Sequence, residues 1–479
     1  MDDFIFLSSS TEKKNKDLTN IDNIGIYYRD TYDFVYTPKA RITLLESLIS
    51  KYKQLDSDFI KSVPPNSFLI LYDYKNKKLI VKNDELGHFT LYYYLRDTNW
   101  YISNNLPILK NYLKAKINKI SLYKYILIDY TLGENTIFEN IKKIPPSHFL
   151  YSKNGTTRLL RYNNIHIESA PLSENFYINK FESIFKDIFK NFTGQNIGIM
   201  LSGGLDSTLL VSLMKKYNKK VKTYTMLDEK HMDYLRGNCR KIADYFGTDH
   251  QEFKINFNNY MEYFPSPYHL LNEPVFDIHL PAIHYFFKTI QDDIKFMLHG
   301  HGSDTIFGGD PKLLIKRYQR INKIHCQPNI LTTNNILTRA TYSVLVNEVP
   351  QKLNSLYNTF PTDKINFIFP YLDYRIVKTA FNMPLKFKIK KELDKVLLRK
   401  FSAKLMPYDI TLKKRETTAI PNPWIKIIIG KYYSQIKKSP VIKECFGNID
   451  TFRNKPSFLL KFILFDIWYN FNSNRILKQ

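Results

Sequence analysis

The stretch NIGIMLSGGLDSTLLVSLMKK, residues Asn196 to Lys216, decides the fold of the second half of this chain. It begins with a short apolar run, Ile197 to Leu201, and a six-residue turn that contains two glycines follows. The apolar residues after the turn recur at helical spacing: Leu209, Leu210, Leu213 and Met214. This order predicts a buried strand, a tight turn and the N-terminus of a helix.

The turn, SGGLDS at residues 202–207, has the chemistry of a phosphate site. Backbone N–H groups in the first turn of a helix have no intrahelical partner, and the helix dipole favours negative charge there. The two glycines allow a close approach of the backbone, and the two serines add hydroxyl donors. A carboxylate repels a bare phosphate, so Asp206 predicts a Mg²⁺ ion between the two.

Other patterns also produce a glycine turn between a strand and a helix. A lone Gly-Gly pair is often a turn without any ligand. The Walker pattern GxxxxGK[ST] is excluded because no Lys follows Gly204, and the GxSxG elbow is excluded because Met200 lies two residues before Ser202. The complete six-residue string is more specific than a lone glycine pair, and it favours the phosphate site.

A second strand–glycine–aspartate pattern occurs about a hundred residues later. Phe296 to Leu298 is apolar, and the sequence HGHGSDTIFGG follows it at residues 299–309. Strand and helix patterns alternate between the two turns, with a strand at Lys222 to Leu227, and this alternation predicts a doubly wound parallel sheet. Because ligands bind at the carboxyl ends of such strands, Asp206 and Asp304 could share one Mg²⁺.

The first 165 residues form a different pattern, in which short strands pair through polar turns. The first predicted strand is apolar without alternation, as expected of a sheet that is covered on both faces. The predicted elements are strands at Ser67 to Tyr72, Lys78 to Val81, Phe89 to Leu95 and Trp100 to Ser103, and helices at Ile42 to Tyr52 and Leu106 to Leu113.

The composition bounds the class of protein. The 479 residues suffice for two or three domains. The net charge of +25 fits either an anionic partner or a general excess of Lys, and the lack of a long basic cluster favours the second explanation. The three cysteines are far apart, so a zinc site or disulfide framework is not expected. The acidic N-terminus and the lack of a long apolar run predict a cytoplasmic protein without signal peptide or membrane span.

The SGGLDS string resembles the pyrophosphatase loop of the N-type ATP pyrophosphatases, and specifically that of the asparagine synthetase superfamily. Members of that family bind ATP and Mg²⁺ at this loop, and they release pyrophosphate while they activate a carboxylate as an acyl-adenylate. The resemblance implies ATP and Mg²⁺ as cofactors, with Asp206 and Asp304 as metal ligands. It also implies a set of nucleotide-binding residues: Leu201, Ser202, Gly203, Gly204, Asp206, Ser207, Met226, His299 and Gly300.

The N-terminal part resembles the glutamine amidotransferase domain of the same family, through NDELG at residues 83–87 and TIFENIKKIPP at residues 136–146. The resemblance implies an α/β chain with two domains. Residues 1–168 would form an Ntn-hydrolase-like α-β-β-α sandwich, and residues 169–479 a PP-loop ATP pyrophosphatase domain, a doubly wound parallel sheet with a helical C-terminal extension. The family's nucleophilic cysteine follows the initiator Met, where this chain has Asp2. An aspartate cannot be a thiolate nucleophile, so glutaminase chemistry is expected to be lost.

Further stretches of the C-terminal half resemble motifs of the family and provide catalytic candidates. FPYLD at Phe369 to Asp373 resembles PFLD, and the KxxLR-like stretch begins at Lys395. In the basic loop that follows, Lys414 is the predicted catalytic cation, although either neighbour could take this role and a solvated basic face is the alternative. Glu273, in a DEPxxDP-like segment, is a third catalytic candidate, and a loop acid bonded to the backbone is the other explanation.

Within the superfamily, the chain is most similar to lasso-peptide cyclases, which combine a degenerate glutaminase domain with SGGxDS and GHGxDxIFG loops. His301 and Thr305 replace two glutamates of the family motif GEGSDExFGG, which argues against aspartate as the substrate. The implied reaction adenylates an Asp or Glu side chain of a precursor peptide for attack by the peptide's N-terminal amine. A leader peptidase is the implied partner, with no nucleic-acid partner and no membrane insertion. The alternatives are a β-lactam synthetase-like enzyme for a small β-amino acid, a non-catalytic nucleotide-binding scaffold, and a tRNA-modifying relative.

Overall fold

The computed structural model describes most of the chain. The described residues are 5–7, 19–31, 38–96, 99–163, 172–218, 220–228, 232–324, 333, 335–359, 364–391, 393–407 and 420–473. The domain boundary predicted at residues 168 and 169 lies outside them and stays a prediction.

The N-terminal part contains two antiparallel sheets. The larger has six strands in the order β10-β9-β5-β4-β3-β2, and the smaller has four in the order β1-β7-β6-β8. In chain order, the strands are β1 (Ile5–Leu7), β2 (Thr19–Ile21), β3 (Ile24–Asp30), β4 (Ser67–Asp73), β5 (Lys78–Lys82), β6 (Tyr92–Arg96), β7 (Asn99–Ser103), β8 (Ile141–Lys143), β9 (His148–Lys153) and β10 (Thr156–Arg161).

The two sheets pack face to face between layers of helices. Phe68 and Ile70 of β4 point to a core that they share with β6 and β7 of the smaller sheet. Their neighbour Leu69 points the other way and packs against α1 (Pro38–Leu55). The outer face of the smaller sheet packs on α2 (Leu106–Leu113) and α3 (Lys119–Ile128). The layers therefore follow the order helix, sheet, sheet, helix.

Local chemistry explains where two predicted elements begin. Helix α2 begins at the predicted residue because the Asn105 side chain accepts a hydrogen bond from the Ile108 N–H at 3.0 Å and caps the helix. The strand expected from Phe89 begins instead at Tyr92. The reason is Asp84, whose buried carboxylate accepts hydrogen bonds from the backbone N–H groups of Leu86, His88 and Phe89 and holds that stretch as a loop.

The C-terminal half is built on a five-stranded parallel sheet, as the alternating pattern predicts, in the order β13-β12-β11-β14-β15. Its strands are β11 (Ile197–Met200), β12 (Val221–Asp228), β13 (Asp249–Ile255), β14 (Phe296–Leu298) and β15 (Asn366–Ile368). The chain leaves β11 on one side toward β12 and β13, and it returns on the other side as β14. The carboxyl end of β11 is therefore the topological switch point, where open α/β sheets bind ligands.

Helices surround this sheet and continue beyond it. In chain order they are α4 (Glu174–Phe189), α5 (Leu205–Lys215), α6 (Met232–Phe246), α7 (Phe257–Tyr263), α8 (Ser266–Leu270), α9 (Leu280–Ile290), α10 (Ser303–Phe307), α11 (Pro311–Ile324), α12 (Ile336–Thr359), α13 (Tyr374–Asn382), α14 (Val396–Ala403), α15 (Asn422–Lys438), α16 (Pro440–Phe446) and α17 (Pro456–Ser473). The last helix packs against α2 and α3, where Lys461 Nζ donates to the Ile126 carbonyl at 2.7 Å. Among the described helices, none is long and apolar enough to cross a membrane.

Candidate functional site

The first glycine loop, residues 201–207, leaves the carboxyl end of β11 and enters α5. Gly203 has a φ of +68°, and a Cβ atom there would lie 2.8 Å from Nδ2 of Asn238. The Asn238 side chain uses this space to donate a 2.7 Å hydrogen bond to the Gly203 carbonyl. A glycine is therefore required at this position both for its backbone angle and for the approach of α6.

The hydroxyl groups of the loop organise its backbone. Ser207 Oγ accepts a 3.1 Å hydrogen bond from the Ser202 N–H and lies 3.1 Å from Ser202 Oγ. At the base of the loop, the Leu201 carbonyl accepts a hydrogen bond from Thr225 Oγ1 at 2.7 Å. Met226, the next residue on β12, is partly buried between two hydrophobic clusters, one around β11 and α5 and the other around α2, α3 and α17. These bonds hold the start of α5, whose first N–H groups have no intrahelical acceptors, in one conformation.

Two carboxylates meet at one ammonium group beside this loop. Lys395 Nζ lies 2.5 Å from Oδ2 of Asp206 and 2.6 Å from Oδ1 of Asp304. Asp206 is in the first turn of α5, and Asp304 is in the first turn of α10. Ser303 Oγ donates a further hydrogen bond of 2.6 Å to Asp206 Oδ1. The structure thus brings together the two predicted metal ligands and one of the predicted catalytic lysines.

The charge of Lys395 is stabilised by this arrangement. The residue is only 5% exposed, and burial alone would lower the pKa of its ammonium group. The negative charges of Asp206 and Asp304 outweigh burial, so the pKa of Lys395 is raised above its ordinary value. The lysine is therefore a permanent cation at the carboxyl end of the sheet.

The second glycine loop, residues 299–304, packs against the first. A Cβ atom on Gly300 would lie 3.4 Å from the Cβ of Asp206. His299 follows β14, and its Nδ1 accepts a 3.0 Å hydrogen bond from the His301 N–H. Beyond this loop, a Cβ atom on Gly309 would lie 2.4 Å from Oδ1 of Asp304. A glycine at position 309 therefore allows Asp304 and Lys395 to approach each other, whereas a Cβ atom on Gly300 would make only an ordinary contact.

The donor set fits a magnesium ion that also binds phosphate. Mg²⁺ is usually held by one or two carboxylates together with substrate phosphates, and Asp206 and Asp304 supply two carboxylates at the switch point. In the described part of the chain, no group of three or more His, Cys, Asp or Glu side chains could hold a metal by itself. A metal at this site would therefore complete its coordination with oxygen ligands from water or from a bound nucleotide.

Glu273 lies in a different environment from the one predicted. It is 1% exposed, and Lys143 Nζ lies 3.2 Å from both of its carboxylate oxygens. Thr131 donates a second hydrogen bond to it, and its negative charge helps burial to raise the pKa of Tyr92. These partners belong to the N-terminal sheets and their loops, not to the glycine loops. The catalytic role of Glu273 stays a prediction that these contacts do not support.

Some predicted site residues lie outside the described part of the chain. Two residues that the sequence analysis did not select also contact the site. The basic loop with Lys413, Lys414 and Arg415 is outside, as is Asp2. Tyr371 was missed, although its hydroxyl donates a 2.9 Å hydrogen bond to the Asp206 carbonyl. The only sequence signal for Tyr371 was its position in the FPYLD motif, and Ser303 was likewise visible only as a neighbour of Asp304.

Two family models match this chain. Residues 191–359 and 362–430 match the model described as asparagine synthase. These residues include both glycine loops and Lys395. Residues 43–163 match the model described as glutamine amidotransferase domain, which includes most of the two N-terminal sheets.

Several curated relatives align with the chain at low identity. Asparagine synthetase [glutamine-hydrolyzing] 3 of Bacillus subtilis is 22% identical, over 80% of this chain and 73% of the relative. Asparagine synthetase [glutamine-hydrolyzing] 1 of the same organism is 21% identical, over 58% of this chain and 45% of the relative. The nodule asparagine synthetase of Pisum sativum is 25% identical, over 54% of this chain and 42% of the relative. The chain thus covers less than half of the second and third relatives. Among solved structures, the NH3-dependent NAD synthetase of Campylobacter jejuni is 13% identical, and the alignment covers 52% of this chain and 100% of the synthetase chain. Its TM-score of 0.23 is too low to bear on fold or function.

Proposed function

We propose that this chain is a member of the asparagine synthase family, whose model matches residues 191–359 and 362–430, and that it forms an amide bond within a peptide after it adenylates one of the peptide's carboxylates. Homologues in this family are ATP-dependent, AMP-forming carbon–nitrogen ligases, and this chain is an enzyme of that class. In the proposed reaction, an Asp or Glu side chain of the peptide is activated and the peptide's own N-terminal amine attacks it. The products are a macrolactam, AMP and pyrophosphate.

The observation that carries this proposal is the cluster of Asp206, Lys395 and Asp304 at the switch point of the sheet. The first glycine loop would bind the triphosphate with the N–H groups at the start of α5 and with the hydroxyls of its two serines. Asp206 and Asp304 would hold Mg²⁺, which supplies positive charge to the phosphates when it is bound. The cluster combines these groups where a nucleotide would lie in a doubly wound sheet.

The chemistry has two steps, and the chain's own groups act in both. In the first step, a carboxylate oxygen of the peptide attacks the α-phosphorus of ATP, the bond to the β-phosphate breaks, and pyrophosphate leaves. The ammonium group of Lys395 would stabilise the negative charge that develops on the phosphates. In the second step, the amine attacks the acyl-adenylate, loses a proton and expels AMP. The basic loop around Lys414 is the proposed source of a second cation for this step.

The positions of the cysteines support attack by an amine of the substrate itself rather than by ammonia from glutamine. No cysteine precedes Cys239 in the sequence, so residues 1–238, which include the match to the amidotransferase model, contain no thiol nucleophile. Cys239 is buried beneath the first glycine loop, where its Sγ lies 3.5 Å from the Leu201 carbonyl. A buried thiol in this position has a packing role and no access to glutamine.

The test is ATP turnover with defined acceptors. Purified protein with Mg²⁺ is offered core peptides encoded near its gene, a small β-amino acid, or aspartate with ammonium, and AMP and pyrophosphate are measured. We expect AMP only with a peptide that loses the mass of one water, and no AMP with the variants D206N and D304N. D292N is the matched control, because Asp292 forms an exposed ion pair with Lys364. AMP with the β-amino acid alone would indicate β-lactam synthesis, and no AMP with any acceptor would refute the enzymatic proposal.

A further inference from the structure

The segment Phe369–Tyr374, called the connecting segment below, contacts the site that holds the carboxylates. The Tyr371 side chain is completely buried, and its hydroxyl donates a 2.9 Å hydrogen bond to the Asp206 carbonyl. The Asp206 carboxylate extends from the same residue toward Lys395. A hydrogen bond to its backbone therefore restrains the turn of α5 from which this carboxylate projects.

The same segment also contacts the second glycine loop. Gly302 has a φ of +95°, and a Cβ atom there would lie 2.4 Å from Cδ2 of Leu372. Leu372 thus occupies the space that a side chain at position 302 would need, next to Ser303 and Asp304. The connecting segment touches both loops that bear the carboxylates.

The opposite side of the connecting segment is bonded to the N-terminal sheets. His88 is 4% exposed, and its Nε2 donates a 2.9 Å hydrogen bond to the Leu372 carbonyl. The Asn66 side chain accepts a 3.0 Å hydrogen bond from the Tyr374 N–H. His88 is itself fixed, since its backbone N–H donates to the buried carboxylate of Asp84 at 3.0 Å.

We propose that the N-terminal region, residues 43–163, is a brace that positions the two carboxylates through the connecting segment, with Tyr371 as the positioning residue. Contacts between His88 and Leu372 and between Tyr371 and Asp206 fix the segment from both sides. The N-terminal region thus has a task that requires no chemistry of its own. The inference rests on the proposed function only in taking ATP with Mg²⁺ as the ligand.

The test is a double-mutant cycle on nucleotide affinity. Y371F removes only the hydroxyl that reaches Asp206, and H88A removes the bond from the N-terminal side. Since each variant loses one neutral hydrogen bond, we expect each to raise the Kd for ATP with Mg²⁺ by about threefold to tenfold. Because both contacts act through the same segment, the rise in Kd of the double variant should be smaller than the product of the two single rises. H88Q, which keeps a donor near the Nε2 position, should recover most of the affinity.

A matched control separates positioning from general stability. Tyr260 is also completely buried and donates a 2.7 Å hydrogen bond to a backbone carbonyl, that of Ile278, outside the glycine loops and the connecting segment. Y260F should lower the melting temperature about as much as Y371F does and leave the Kd for ATP unchanged. N66G provides a second N-terminal variant if H88A does not fold. An unchanged Kd in both H88A and N66G, or effects that multiply independently in the cycle, would overturn the brace.

Hydrogen exchange tests the brace even if the proposed function fails. We expect faster amide exchange at residues 202–207 in Y371F and H88A than in the wild type and Y260F, measured without nucleotide. If the wild type does not bind ATP, the proposed function is refuted while this readout still decides the inference. Equal exchange in all four proteins would refute the brace.

Discussion

Replacement of Lys395 by methionine removes the cation between two carboxylates whose oxygens it contacts at 2.5 and 2.6 Å. Without it, the carboxylates lie on the order of 5 Å apart and repel each other by about 3 kcal/mol at an effective dielectric constant of about 20. The Asp304 side chain is 41% exposed, so solvent weakens this repulsion. The lost charge-assisted hydrogen bonds act in the same direction. We expect K395M to lower the free energy of unfolding by about 2–4 kcal/mol in the presence of EDTA.

The response to Mg²⁺ makes this prediction specific. The variant has two carboxylates without a counter-ion, so it should bind Mg²⁺ in the absence of nucleotide. An ion present at ten times its Kd stabilises the folded state by about 1.4 kcal/mol. Urea unfolding with EDTA and with Mg²⁺ measures both effects.

K400M is the matched control, because Lys400 forms an ion pair of 2.5 Å with Glu174 at the surface. It should change stability by less than about 0.5 kcal/mol, and it should not respond to Mg²⁺. The reasoning is refuted if K395M is as stable as the wild type in EDTA, or if Mg²⁺ stabilises both proteins equally.

Three further perturbations have defined outcomes. G203A should destabilise the first glycine loop by about 1–3 kcal/mol, because φ at this position is +68° and a Cβ atom would meet Asn238. Urea unfolding should show the lower stability, and the Kd for ATP should rise. E273Q should cost about 3–5 kcal/mol, because it leaves Lys143 buried without its counter-charge, and a folded E273Q that binds ATP normally but does not turn it over would instead support the catalytic role. Burial would raise the pKa of Glu252, but hydrogen bonds from Arg240 and Arg236 outweigh burial and lower it. The ionised Glu252 therefore stabilises the folded state above the ordinary carboxyl pKa, and this stabilisation is lost as pH falls through the lowered pKa. The stability difference between wild type and E252Q should therefore shrink from pH 7 toward pH 3, and a constant difference would contradict this.

The sequence predicted those features that depend on neighbouring residues. The strand, turn and helix around SGGLDS follow from local periodicity, and α2 begins where predicted because Asn105 caps it. The alternation of strands and helices predicted a doubly wound parallel sheet with Asp206 and Asp304 at the carboxyl ends of its strands. The switch point at β11 depends on the strand order, which the sequence did not predict.

Contacts between distant segments could not be predicted in the same way. The partner of Glu273 is Lys143, on a strand of the other half of the chain, so an acid in a loop motif became one half of a buried ion pair. Tyr371 reaches Asp206 across 165 positions of sequence, and its motif gave no indication of that partner. Only the fold determines which of several suitable side chains are adjacent.

The most direct test of the central claim is the stoichiometry of ATP consumption during conversion of a core peptide. The account predicts that each peptide that loses one water is accompanied by one AMP and one pyrophosphate, and that D206N abolishes all three changes. Formation of ADP and phosphate in place of AMP, or cyclised peptide without consumption of ATP, would contradict it.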